Sequence, residues 1–135
     1  MKSYTDIEQS KKLAEILPVE TADMCYRYYS GGMITGYGDC VLSKSFITGK
    51  NVIRENDLPC WSLTALLNVL PNNENISTNL SKGGYRISPI IEYTNSWFVD
   101  YEDETDGLNN CVTSADNPVD ACVAMIEKLH ELKML

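Results

Sequence analysis

Histidine is almost missing from this 135-residue chain, where His130 stands alone. A Ser–His–Asp or Cys–His catalytic set would have to be built on that one side chain, near the end of the last predicted helix. Neither GxSxG nor HExxH occurs. Long apolar runs are missing too. The longest, from Trp61 to Leu70, is broken by Ser62, Thr64 and Asn68, so no window approaches the ~20 residues of a membrane helix. The opening MKSYTDIEQSKK has no apolar stretch of roughly 7–15 residues such as a signal peptide needs, and a cytoplasmic location is expected. Basic residues are scarce: 11 Lys and Arg stand against 19 Asp and Glu, for a net charge of −8. That balance argues against direct nucleic-acid binding, which needs clustered cations to meet the phosphates.

The five cysteines, Cys25, Cys40, Cys60, Cys111 and Cys122, have no close spacing. Zinc sites typically need Cys-x(2–4)-Cys pairs, and an odd, scattered set makes a poor disulfide framework. Small buried apolar filler is the expected role of each. With 44% hydrophobic and 22% charged residues, the composition is that of a globular protein. The length suits a single domain over 1–135 that buries roughly two-thirds of its unfolded surface, without help from metals or crosslinks.

Local signals predict a helix over about 6–17, opened by a capping box at Thr5 and Glu8 and stopped by Pro18. Its apolar stripe is Ile7, Leu13, Ala14 and Leu17. CYRYYS reads as a short strand, and a second is expected near Cys40–Leu42. In WSLTALLNVLP, Ser62 caps a helix whose face is Leu63, Leu66, Leu67 and Leu70, with Pro71 closing it. NNENISTNLSKGG reads as a polar connector with a turn at Lys82-Gly83-Gly84. Alternation from Tyr85 to Tyr93, a turn at Thr94-Asn95-Ser96, and WFVDY then predict a hairpin, with Pro89 at an edge or bulge. A third strand near Asn110–Thr113 extends it. Asn117 as N-cap, Pro118 in the first turn and Asp120 near the dipole's positive end open the last helix. Its stripe is Val119, Cys122, Met125, Ile126, Leu129 and Leu132, widened by Ala121, Val123 and Ala124. The expected fold is α+β: an antiparallel meander or hairpin sheet, with the N-terminal, middle and C-terminal helices packed mainly on one face.

Site motifs fail one after another. The glycine-rich SGGMITGYGD lacks the spacing of a phosphate loop, since Gly49-Lys50 is followed by Asn51 and Lys44 stands where the first glycine belongs. In DYEDETDG, counting from Glu102 puts carboxylates at positions 1, 3 and 5 and Gly107 at position 6. Position 12, where an EF-hand needs Glu, is Thr113. No pair of carboxylates is placed across a cleft in the manner of a glycosidase. Trp97 and the tyrosines lack the interleaved cations of a single-strand platform. No cofactor and no metal site is implied.

WSLTALLNVLP, SADNPVDACVAMIEKLHELKML and IEQSKKLAEILPVETADM together resemble a family of short uncharacterised proteins of gut bacteria and their prophages or other mobile elements. The likeness implies an accessory role for a mobile element and a cytoplasmic location, and it carries no catalytic residues.

The charge is uneven. Residues 1–50 hold six acids and six bases, 51–99 four and three, and 100–135 nine and two. Five acids, Asp100, Glu102, Asp103, Glu104 and Asp106, crowd one segment expected to be a loop. The leading expectation is a non-enzymatic binding protein whose acidic segment meets another protein, one with a basic patch. One alternative is a DNA mimic that inhibits restriction or another DNA-binding enzyme, although concentrated charge fits it poorly. Another is a small-molecule site or enzyme built on the Gly31–Gly38 segment.

Overall fold

The computed structural model describes residues 2–31, 35–43, 52–72, 76–87, 90–103 and 111–135, with the backbone alone at 83–87 and 90–95. In chain order, helix α1 (Ile7–Ile16) leads into strands β1 (Met24–Tyr29), β2 (Gly36–Leu42) and β3 (Leu58–Cys60). Helix α2 (Leu63–Val69) follows, then β4 (Ile76–Ile87), β5 (Ile90–Asp103), β6 (Cys111–Ala115) and helix α3 (Pro118–Glu131). The class is α+β. The expected sheet is two sheets, both antiparallel and three-stranded, in the orders β2-β1-β3 and β4-β5-β6.

Helix starts follow the local chemistry closely. Ser62 Oγ accepts from the Ala65 N–H, and Asn117 Oδ1 from the Asp120 N–H. At α1 the cap is one residue later than expected. Asp6 accepts from the Gln9 N–H at 2.8 Å while the Gln9 side chain accepts from the Asp6 N–H at 3.1 Å. Thr5 is spent elsewhere: its hydroxyl accepts from the Trp61 N–H and meets Ser10 Oγ at 2.7 Å, wholly buried. Asn117→Ala is expected to cost about 1 kcal/mol of stability, the usual loss for an N-cap, read as a lower urea midpoint.

The second sheet departs most from expectation. The polar connector is β4, and its turn signal at Lys82-Gly83-Gly84 is a shift in register: Lys82 faces Trp97, and Gly84 faces Tyr93. Gly83 alone therefore opposes Thr94, Asn95 and Ser96. That trio is a bulge within β5 and not a turn, because small polar residues serve both. β4 ends at Ile87 and β5 starts at Ile90, so Pro89 lies outside the described residues. The third strand is β6, paired with β5 from Trp97–Ala115 to Tyr101–Cys111.

The larger of two buried clusters joins the helices to the second sheet, and a smaller one, Tyr26, Leu58 and Cys60, lies on the first sheet. Leu13 of α1 and Leu17 just past its end, Trp61, Leu66 and Leu70 from around α2, and Val99 and Tyr101 from β5 bury themselves around α3. α3 contributes eight buried residues, among them Met125, Ile126 and Leu129, as its almost all-round apolar surface demands. The expected stripes lose three members: Ala14, Leu67 and Leu132 are exposed. α3 lies on β5 and β6 and touches α1 and α2, while α1 rests on β3. At the start of α3, Asp120 accepts from Lys2 Nζ (2.8 Å), Gln9 Nε2 (2.7 Å) and Asn117 Nδ2 (2.7 Å). That carboxylate holds the first helix to the last.

Candidate functional site

Strand β5 runs through the middle of the second sheet, and successive side chains alternate between its faces. Val99 and Tyr101 are buried beneath α3. Phe98, Asp100 and Glu102 therefore point the other way, from a face that no described helix covers. Their cross-strand neighbours are Ser81, Asn79 and Ser77 on β4, with Ser114 beside Phe98 and Val112 beside Asp100 on β6. Asn79, Ser81, Val112, Ser114 and Glu102 are exposed. The result is a mostly polar surface with two carboxylates roughly 7 Å apart along one strand.

These two are part of the acidic segment singled out above. Asp100, Glu102 and Asp103 lie on a strand and not in a loop, and alternation sends Asp103 to the α3 side with Tyr101. Glu104 and Asp106 lie outside the described residues. Among the described residues the ion pairs are Lys2–Asp6, Lys2–Asp120 and Arg27–Asp57. None of them neutralises Asp100 or Glu102. Lys82 stands over the Trp97 ring, 5.6 Å from its centre, a cation–π contact at an exposed site.

A second constellation was invisible in the sequence. Cys40 on β2 faces Tyr26 on β1, and Cys60 on β3 faces Met24, two residues away on the same face of β1. The two sulfurs approach to 3.2 Å. Cys60 is wholly buried, and Cys40 is partly exposed. Thr5 closes the far side: its hydroxyl donates to Cys60 Sγ at 3.5 Å, and its carbonyl accepts from Cys60 at 3.3 Å and from Tyr26 Oη at 2.7 Å. With the Cys40 thiol and the Thr5 hydroxyl donating to it, the Cys60 thiol is pulled below its ordinary value, against the opposing effect of burial. Cys40, whose proton is held in that contact, moves the other way. Cys122, buried in α3 with no such help, is pushed up to about 11 by desolvation. Cys25, Cys60 and Cys122 are all wholly buried, as expected of small apolar filler, and Cys40 and Cys111 are partly exposed.

Beside this network, Lys2, Ser3, Tyr4, Asp6 and Tyr26 line a cleft of about 320 Å³. Tyr4 and Tyr26 meet edge to face there, 6.4 Å between ring centres. A wider groove of about 390 Å³ runs between α1 and α3, lined by Lys12, Glu15, Ile16, Glu127, His130 and Glu131. The Gly31–Gly38 segment lines neither. Its described part belongs to the β1–β2 hairpin, where the Tyr29 ring lies so close to Gly38 that a Cβ there would sit 2.5 Å from it. That glycine makes room for a tyrosine. Among the described residues no three His, Cys, Asp or Glu side chains converge as a metal site would require, and no helix is long and apolar enough to cross a membrane. No family model, curated protein or solved structure matches the chain.

Proposed function

We propose that the chain is a small, non-catalytic binding protein that docks a basic surface of another protein on the open face of its second sheet. The observation that carries this reading is the pair Asp100 and Glu102. They sit on the central strand of this sheet with no described cation to balance them. A partner presenting Lys or Arg gains charge complementarity there, which speeds encounter and fixes register. Phe98 and exposed Val112 add apolar contact beside the charges. Two carboxylates on one strand are too few for a phosphate-like ladder, so a protein partner is favoured over mimicry of DNA. An accessory role for a prophage or mobile element, carried out in the cytoplasm, fits the family resemblance of the three helical segments.

The test compares the native chain with the double variant Asp100→Asn, Glu102→Gln as bait in lysate of its host. A control bait carries Glu8→Gln and Glu131→Gln, away from the sheet. A partner of the proposed kind is eluted by salt, carries a basic patch, and binds the double variant roughly tenfold more weakly, a loss of about 1.4 kcal/mol. Equal retention on the native chain and the double variant overturns the reading.

A further inference from the structure

Thiol pairs held near contact by separate strands are a different kind of site from an acidic sheet face, and this one stands independently of the binding role. We propose that Cys40 and Cys60 are an oxidisable dithiol that closes to a disulfide when the folded chain meets a small peroxide. Three features of the geometry support it. The sulfurs are 3.2 Å apart, about 1.2 Å beyond the ~2.05 Å of a disulfide bond; because β2 and β3 flank β1, closing the gap also draws the backbones of those two strands toward each other. Access is graded: Cys40 is partly exposed while Cys60 lies beneath it, wholly buried. A small oxidant can thus reach the outer sulfur with the inner one already positioned behind it. Finally, the Thr5 hydroxyl donates to the inner sulfur, so negative charge in the pair has a polar partner although the site is buried, and the Thr5 carbonyl accepts from that sulfur when it is protonated.

The chemistry balances with hydrogen peroxide as the oxidant. One thiol proton leaves for solvent, and the other remains in the contact between the sulfurs. When that proton passes from Cys40 to Cys60 across the 3.2 Å contact, the outer sulfur carries the charge and the Cys40 thiolate attacks one peroxide oxygen; the S–O bond forms, the O–O bond breaks, and hydroxide departs and is protonated to water. The Cys60 sulfur then attacks Cys40. An S–S bond forms, the S–O bond breaks, and the departing hydroxide takes the Cys60 proton as a second water. Two thiols are oxidised and one peroxide is reduced. The product ties β2 to β3 across β1.

Cys25, Cys111 and Cys122 serve as internal comparisons. Cys25 and Cys122 are buried and, among the described residues, make no sulfur–sulfur hydrogen bond, and Cys111 Sγ lies 3.7 Å from the thioether of Met125. The full chain is treated with hydrogen peroxide in its folded state, alkylated and mapped by mass spectrometry. The expected result is a loss of two hydrogens from most molecules and a linked peptide pair joining Cys40 to Cys60, both reversed by dithiothreitol. Cys111→Ser should leave the link intact, and Cys40→Ser should abolish it. Peroxide-treated native chain with Cys40 and Cys60 still alkylatable, or linked to other cysteines, overturns the proposal. That readout needs only the native protein, so it decides the matter even where a cysteine variant fails to fold.

Discussion

Asp57→Ala is expected to destabilise the protein by about 3–5 kcal/mol, the usual cost of breaking a buried ion pair from one side. The Asp57 side chain is only 2% exposed. Three donors converge on it: the Tyr28 N–H at 2.9 Å, the Arg54 N–H at 3.0 Å and Arg27 Nη1 at 2.7 Å. Alanine would strand a guanidinium that is itself largely covered, together with two backbone donors, one of them in β1. By contrast the Lys2–Asp6 pair, whose aspartate is 53% exposed, belongs to the surface class worth up to about 1 kcal/mol. The same carboxylate predicts a pH dependence. Burial opposes its ionisation, but the hydrogen bonds from Tyr28, Arg54 and Arg27 outweigh burial and hold it below its ordinary 3.8. A depressed folded-state value means that the stabilisation is complete above the unfolded value and is lost as pH falls through the folded one. Asp6 and Asp120 are lowered too and act in the same direction. Urea unfolding of native and Asp57→Ala proteins should therefore show their widest gap at neutral pH, narrowing below about pH 4. A gap that stays constant down to pH 2 would remove the carboxylate's charge from the explanation.

Trp61→Ala is expected to cost a similar amount, about 3–5 kcal/mol, through a different mechanism. Trp61 is wholly buried at the junction of β3 and α2, within the cluster that includes Leu13, Val99 and residues of α3. Truncation leaves a void that close-packed neighbours can fill only in part. Its Nε1–H donates to Thr21 Oγ1 at 2.9 Å, and Trp61→Phe separates the two contributions. Phenylalanine keeps much of the ring volume and loses that hydrogen bond, so its cost should be well below that of alanine. Thermal melts of the three proteins read the order directly. An alanine variant no less stable than the phenylalanine one would mean that the indole does not fill the core.

Where the fold was legible, the signal was local. Ser62 and Asn117 announce their helices because a cap is satisfied within three residues. Thr5 misled because its hydroxyl is claimed from 56 positions away by the Trp61 N–H, leaving Asp6 to cap. The strand β4 hid for a related reason. Its outward face carries the polar Ser77, Asn79 and Ser81, and among the described side chains Ile76 and Leu80 pack inward against the core. A strand half-covered by one helix carries a thin apolar signal, and Ser and Asn also make turns. In the acidic segment the charges were plain, but only strand alternation separates Asp103 from Asp100 and Glu102. The thiol pair left no trace in the spacing at all. Cys40 and Cys60 meet because β1 receives β2 on one side and β3 on the other, a pairing set by tertiary structure.

Asp120 binds the chain's opening to a helix made much later, and that imposes an order on synthesis. Lys2 and Asp120 are 118 positions apart, about 6–24 s of elongation at roughly 5–20 residues per second. Throughout that interval Leu13, Trp61 and Leu66 have no α3 to pack against, although α3 residues from Val119 to Leu129 belong to the cluster they share. The nascent chain thus waits on the ribosome with its apolar residues uncovered, a window in which chaperones have the most to protect.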